Sequence, residues 1–413
     1  MVGHSWRIGA QLSTSHSSSS ELSSERVIDV VERARSIIDL DILIVGAHEN
    51  PAMFRAMCNT NTWPRPAKEV FLWYNLLSDI EGMQESDLVV NWRGERSRGW
   101  GGWAEKGAEV NETFRFVCPN NPAAREKTLR RLRELLQRYP FDGVFLDKIR
   151  FPSPANGLDE VLSCFCDHCR RAAGAVGLDL GSVARSLQQP FAVNAAALAT
   201  SHDAGEKSWL DELVRGNPTL SAFLRFRRDS ITKLIAEAHS WASDLGRKVS
   251  LDLFSPGLAP VVGQDYRALS PYSAWAKPMT YRVAMGPAGL RLEIPALVEG
   301  VAAMFGVSES RISDWASVHL RGFDSDTLRL TRESAVPLPI MRAEIAEAVR
   351  SMTPAPVYFG LELVSHPGVI DITPDLVNDM VRAGREARAA GTIISWDLMH
   401  SPVDGLKALA AAV

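Results

Sequence analysis

No stretch of the chain comes near the roughly 18 consecutive apolar residues that a membrane-spanning helix needs, so no membrane partner is expected. Charge of one sign is not concentrated either. The 45 basic and 49 acidic residues leave a formal charge of -4 with no basic run to track a phosphate backbone, so no nucleic-acid partner is expected. Residues Met1 to Ser20 are polar and Ser-rich where a secretory leader carries its apolar stretch, which sets the expectation of a cytoplasmic protein. Cysteine is scarce. Five in 413 residues, three of them packed between Cys164 and Cys169, exclude a disulfide framework. No repeat at a fixed period is evident. What remains, 46% hydrophobic and 23% charged, is the composition of a globular enzyme, and it includes eleven tryptophans.

Short apolar runs alternate with longer amphipathic stretches along the chain, the signature of βα units around a parallel sheet. Eight strands are predicted: Ile8 to Leu12, Ile42 to Ala47, Val70 to Leu77, Gly143 to Asp147, Val249 to Phe254, Ala276 to Val283, Val357 to Val364 and Thr392 to Leu398. Runs such as ILIV at 42 to 45 are continuously apolar, as in strands buried on both faces. Helix starts are marked by Asn121 before Pro122 and by Thr373 before Pro374, each an N-cap residue ahead of a proline at the first helical position. The longest predicted helix spans Thr219 to Leu245. Eight strands over this length predict one (β/α)8 barrel across residues 1–413, an open doubly wound sheet being the rival. Two segments exceed the minimal barrel, a Cys-rich helical insertion over about 151–218 after the fourth strand and another over about 282–356 after the sixth.

In such a barrel the strand C-termini form the catalytic mouth. Four carboxylates fall there: Asp147, Asp252, Glu362 and Asp397, on the fourth, fifth, seventh and eighth strands. An ionisable group inside an apolar strand is costly unless it is paired or used. Paired carboxylates suit glycosidic cleavage, one acting as nucleophile or base and the other protonating the leaving oxygen. Aromatic residues fit a sugar substrate. Trp73, Tyr74 and Asn75 end the third strand, Tyr281 the sixth and Trp396 the eighth, while Trp92, Trp100 and Trp103 sit in a Gly- and Arg-rich loop. Lys148 and Arg150 follow Asp147, either to keep it ionised or to fix the loop by a salt bridge. His48 and His400, just past the second and eighth strands, are further mouth-facing candidates.

The run CPNNPAAREKTLRRLRELLQRYPFDGVFLDKIRFP, Cys118 to Pro152, resembles the fourth-strand region of uncharacterised bacterial glycoside-hydrolase-like (β/α)8 proteins. Those carry a similar C-P-N, a helix, then F-D-G-x-x-x-D-x-x-R-[FY]-P. VSLDLFSP and VGQDYRALSPYSAWAKPMTY, the latter Val262 to Tyr281, resemble the same group's fifth strand, Q-D loop and sixth strand. The matching pieces cover well under half of the chain. The resemblance implies substrate contacts for Gln264, Asp265 and Tyr281, with loop bracing the other reading of Asp265. More remotely the group is similar to the α-amylase superfamily, which implies Asp147 as nucleophile. The chain departs from that superfamily at Phe145, where an Arg is usual, and at Asp252, where a Glu is the acid/base. Asp252 and Glu362 therefore rank equally as acid/base. Asp397 follows as a transition-state stabiliser or sugar ligand.

SCFCDHC places Cys164, Cys166 and Cys169 at a C-x-C-x2-C spacing. Three thiolates fit tetrahedral zinc if a fourth ligand comes from His168, Cys118 or elsewhere, and reduced packing cysteines are the competing reading. The expected function is a glycoside hydrolase or transglycosylase acting on an oligosaccharide or glycoside. Its carboxylate chemistry needs no cofactor, a structural zinc is one reading of the cysteines, and a homo-oligomer is compatible. The alternatives are a metal-dependent barrel hydrolase or lyase and a sugar-binding barrel without catalysis. No H-x-H or H-x-x-E spacing falls at a strand end to favour the metal-dependent one.

Overall fold

A computed structural model describes residues 6–13, 24–46, 48–58, 65–102, 112–188, 214, 217–313, 323–366 and 368–413. Eight parallel strands form the centre: β1 (Arg7–Ser13), β2 (Ile42–Gly46), β3 (Glu69–Asn75), β4 (Gly143–Asp147), β5 (Lys248–Phe254), β6 (Ala276–Met279), β7 (Tyr358–Glu362) and β8 (Gly391–Ser395). They pair in the order β6-β5-β4-β3-β2-β1-β8-β7, and the bridge Ala276↔Val357 brings the two ends together. The result is a nearly closed (β/α)8 barrel with helices between its strands. Among the described residues no helix is long and apolar enough to cross a membrane.

The caps work as their chemistry dictates. Asn121 accepts hydrogen bonds from the amides of Ala123 and Ala124 at the start of helix Pro122–Arg138, and Thr373 accepts from Leu376 at the start of Pro374–Glu386. The long helix Pro218–Ser243 begins the same way, with Asn217 accepting from Leu220. After β4 the chain adds helices Leu158–Val161, Asp167–Gly174 and Leu180–Gln188, and after β6 it adds Leu290–Phe305, Ser325–Glu333 and Leu338–Met352.

Strand β6 ends four residues before the predicted Val283. Pro278 has no N–H to extend the ladder, and the amides of Arg282, Val283 and Ala284 donate to the Glu362 carboxylate instead of to a neighbouring strand.

Strand alternation then builds the barrel interior in layers. Ile42, Ile44, Phe71, Phe145, Trp275, Tyr358 and Ile393 fill the lower layer, where Phe145 stacks on Trp275 with ring centroids 5.3 Å apart. Two residues further along β3, β4 and β8 the same inward positions carry Trp73, Asp147 and Ser395, level with Asp252 on β5 and Lys277 on β6. A dry aromatic plug therefore supports a polar layer at the C-terminal mouth.

Candidate active site

The polar layer opens into a cleft at the C-terminal mouth of the barrel. Gln11, Asp252, Lys277 and Tyr281 line it together with Trp73, Asp147, Met279 and Trp396. Asp147 ends β4 with one carboxylate oxygen accepting from the Trp73 indole N–H at 2.9 Å and the other from the Lys148 amide at 2.5 Å. Both donors hold the carboxylate in a fixed orientation at the cleft wall.

Asp252, on the adjacent strand β5, has a different environment. One oxygen, Oδ2, is 2.9 Å from the Lys277 ammonium, while Oδ1 is buried with no hydrogen-bond partner. Burial pushes this carboxyl up to about 8, and the negative charge of Asp147 adds to the rise against the pull of Lys277. Lys277 itself is fully buried. Burial alone would favour its neutral amine, but Asp252 and Tyr281 raise it, so it stays an ammonium. It also donates to Gln11 Oε1 at 2.7 Å, the Tyr281 hydroxyl at 2.9 Å and Ser395 Oγ at 3.3 Å. Gly360 on β7 makes room for this network, since a Cβ there would stand 2.8 Å from the Tyr281 ring.

At the rim, Lys148 has a left-handed backbone (φ 53°) where the chain leaves β4. Its ammonium pairs with Asp79 at 2.6 Å and Glu112 at 3.0 Å, and lies over the Phe114 ring. Against the effect of burial, Lys148 holds Asp79 down at about 2, whereas burial pushes Glu112 up. Lys148 thus ties together the rim segments that carry Asp79 and Glu112. Arg150 lies between the rings of Phe116 and Phe254, and burial lowers it to about 10.

Of the residues singled out in the sequence, Asp147, Asp252, Tyr281, Trp396, Lys148 and Arg150 meet at the cleft. Glu362 does not. Its two oxygens accept from three successive amides after β6, and it is not among the residues lining the cleft. Asp397 likewise accepts from the amides of Ser13 and Met399, and His400 stands 3.9 Å from it, away from the cleft. Gln264 braces two loops by accepting from Phe254 N and donating to Ile149 O, and Asp265 caps the short helix Tyr266–Leu269. Neither contacts the cleft.

Tyr74 points outward, its hydroxyl donating to Thr128 O at 2.6 Å, and with Asn75 and His48 it lines a neighbouring cavity that shares Trp73. Trp100 packs edge-on against Phe114 behind the rim, and Trp92 donates to Asp159. Trp103 lies outside the described residues. Cys164, Cys166 and Cys169 are not among the residues lining the cleft and gather with Cys118.

Lys277, Gln11 and Glu112 are cleft residues that the sequence reading passes over. Lys277 carried a usable signal, a charge inside a strand with apolar neighbours, which is the criterion that picked out the carboxylates. Glu112 carried none, because it reaches the mouth from a long loop. Trp73 and Trp396 provide apolar ring faces, and Trp396 is held edge-to-face by Tyr281 at 6.0 Å. If the ligand stacks there, Trp396→Ala raises KM roughly five- to tenfold, the equivalent of about 1 kcal/mol, with little change in kcat. Steady-state kinetics checks this, and an unchanged KM removes Trp396 as a platform.

No protein-family model matches the chain, and no curated protein matches it. Solved structures do. The chain is similar to the PgaB (BpsB) glycoside hydrolase domain from Bordetella bronchiseptica, with a TM-score of 0.55 at 12% identity over 95% of this chain and 94% of that one. The catalytic domain of β-amylase from Paenibacillus polymyxa matches with a TM-score of 0.49 at 9% identity, over 98% and 95% of the two chains. At 12% identity the likeness to the PgaB domain is one of fold, and it agrees with the barrel assigned from the strand order.

Proposed function

We propose that the chain is a glycoside hydrolase acting on an oligosaccharide or glycoside, with Asp147 as nucleophile or base and Asp252 as proton donor. The observation that carries this reading is one cleft in which two carboxylates from adjacent strands stand in contrasting surroundings, between indole walls. Pairs of titratable groups whose environments differ in this way divide the roles of acid and base. Asp252, protonated, delivers its proton to the glycosidic oxygen as the bond from that oxygen to the anomeric carbon breaks. Asp147 either attacks that carbon or takes a proton from the water that does. The Lys277 ammonium anchors Oδ2 of Asp252 and leaves Oδ1 as the oxygen without a competing partner.

The sign of the pH dependence follows. A general acid must hold its proton, and Asp252 holds it up to about pH 8, so turnover is retained below that pH and lost as pH rises through it. Asp252→Asn removes this alkaline limb and lowers turnover roughly 10²- to 10⁴-fold on natural glycosides. Aryl glycosides whose phenolate leaves without a proton are cleaved with a much smaller loss. Release of reducing sugar and of nitrophenol from a panel of such substrates provides the test. Equal losses on both substrate types would show that Asp252 is not the proton donor.

A further inference from the structure

Four cysteines from two separate loops meet on the outside of the barrel. Cys118 follows the Phe116–Val117 segment after β3, and Cys164, Cys166 and Cys169 lie in the loop after β4. Their sulfurs all lie within 4.8 Å of one another, and none forms a disulfide. A zinc ion bound by four thiolates at about 2.3 Å sets its sulfurs about 3.8 Å apart, a spacing that this cluster accommodates with small side-chain shifts. The fourth ligand is Cys118. His168 is not part of the cluster, its Nδ1 lying 3.0 Å from Arg171 at the surface.

The surroundings fit a buried anion. Peptide N–H groups of Val90 and Asn120 donate to the sulfurs of Cys164 and Cys118 at 3.3 and 3.4 Å, and the Asn120 side-chain amide donates to Cys169 at 3.4 Å. Such donors stabilise thiolates. A positive charge is also in place. Arg227, 1% exposed, donates to the carbonyls of Val261 and Val161, its Nε has no partner, and no carboxylate among the described residues pairs with it. The Val161 carbonyl that it holds lies three residues before Cys164 in the same loop. A guanidinium buried without a carboxylate is costly unless an anion stands near, and four thiolates around a divalent ion carry a net charge of about -2.

We propose that Cys118, Cys164, Cys166 and Cys169 form a tetrathiolate zinc site that staples the loop after β3 to the loop after β4, with Arg227 as its counter-charge. Binding displaces the thiol protons and holds together two loops that also frame the cleft, through Phe116 against Arg150. The site is independent of the proposed hydrolysis.

The experiment is elemental analysis of the full-length protein purified without chelator, with and without Cys118→Ser, and with Cys58→Ser as control because Cys58 lies outside the cluster. One zinc per chain is expected in the wild type and in Cys58→Ser, and a loss of at least tenfold in occupancy in Cys118→Ser. Replacing zinc with cobalt(II) in the wild type should give the thiolate-to-cobalt charge-transfer band and visible spectrum of a tetrahedral four-sulfur site. This readout stands even if Cys118→Ser fails to fold. Wild-type protein without zinc, iron in its place, a disulfide among the four cysteines, or full zinc in folded Cys118→Ser would each overturn the assignment.

Discussion

Asp147→Asn is expected to lower turnover by about 10⁴-fold or more while leaving the folded protein close to wild-type stability. The change exchanges one carboxylate oxygen for an amide nitrogen of the same size. Trp73 Nε1 and the Lys148 amide both donate to Asp147, so the variant keeps one of these bonds and loses the other, at a cost of about 1 kcal/mol or a little more. The chemical loss is of another order. An amide neither forms a glycosyl ester as the carboxylate does nor takes a proton from water, so the charge that builds at the anomeric centre loses its partner. Sugar release by the purified variant measures the effect, with the denaturation midpoint as control. Turnover within tenfold of wild type would remove Asp147 from the chemistry.

The second large effect falls on stability. Glu362→Ala is expected to destabilise the fold by about 3 kcal/mol or more, because it leaves the amides of Arg282, Val283 and Ala284 buried without an acceptor at about 1 to 3 kcal/mol each. Burial pushes the Glu362 carboxyl up to about 7 even against those three amides, an indication of how thoroughly it is withdrawn from water. Glu362→Gln keeps one acceptor oxygen and is expected to lose less. Chemical denaturation of both variants provides the measurement, together with kcat per folded molecule, which should stay near wild type. A Glu362→Gln variant with wild-type stability and no turnover would restore the catalytic role expected from its place at a strand end.

Glu362 and Asp147 illustrate what the sequence conveys and where it stops. Each is an acidic residue near the end of an apolar strand, and that pattern was enough to place both near the barrel mouth. The eight strands were legible for a related reason. Parallel strands buried on both faces read as apolar runs, and the proline-marked helix caps punctuate the chain between them. What separates the two acids is the partner each side chain finds. For Glu362 the partners are amides freed past the end of β6 at Met279, which only the three-dimensional course of the chain reveals.

Trp73 and Tyr74 show the same limit at the scale of one residue. Both are aromatic and adjacent, yet alternation sends Trp73 to Asp147 and Tyr74 outward to Thr128. Lys148 has two readings in the sequence because its partners Asp79 and Glu112 come from distant segments. Lys277 was legible and passed over. A lysine between Ala276 and Pro278 in a buried strand satisfies the rule that selected Asp252, whose carboxyl lies 2.9 Å away.

A single structure bears on the proposed cleft with least intervening inference: Asp147→Asn crystals soaked with a mixed oligosaccharide library. The expected result is a sugar ring against Trp73 or Trp396, with its anomeric carbon facing position 147 and the glycosidic oxygen within hydrogen-bond reach of Asp252. Sugar bound elsewhere on the protein, with the cleft between Asp147 and Asp252 left empty, would contradict it.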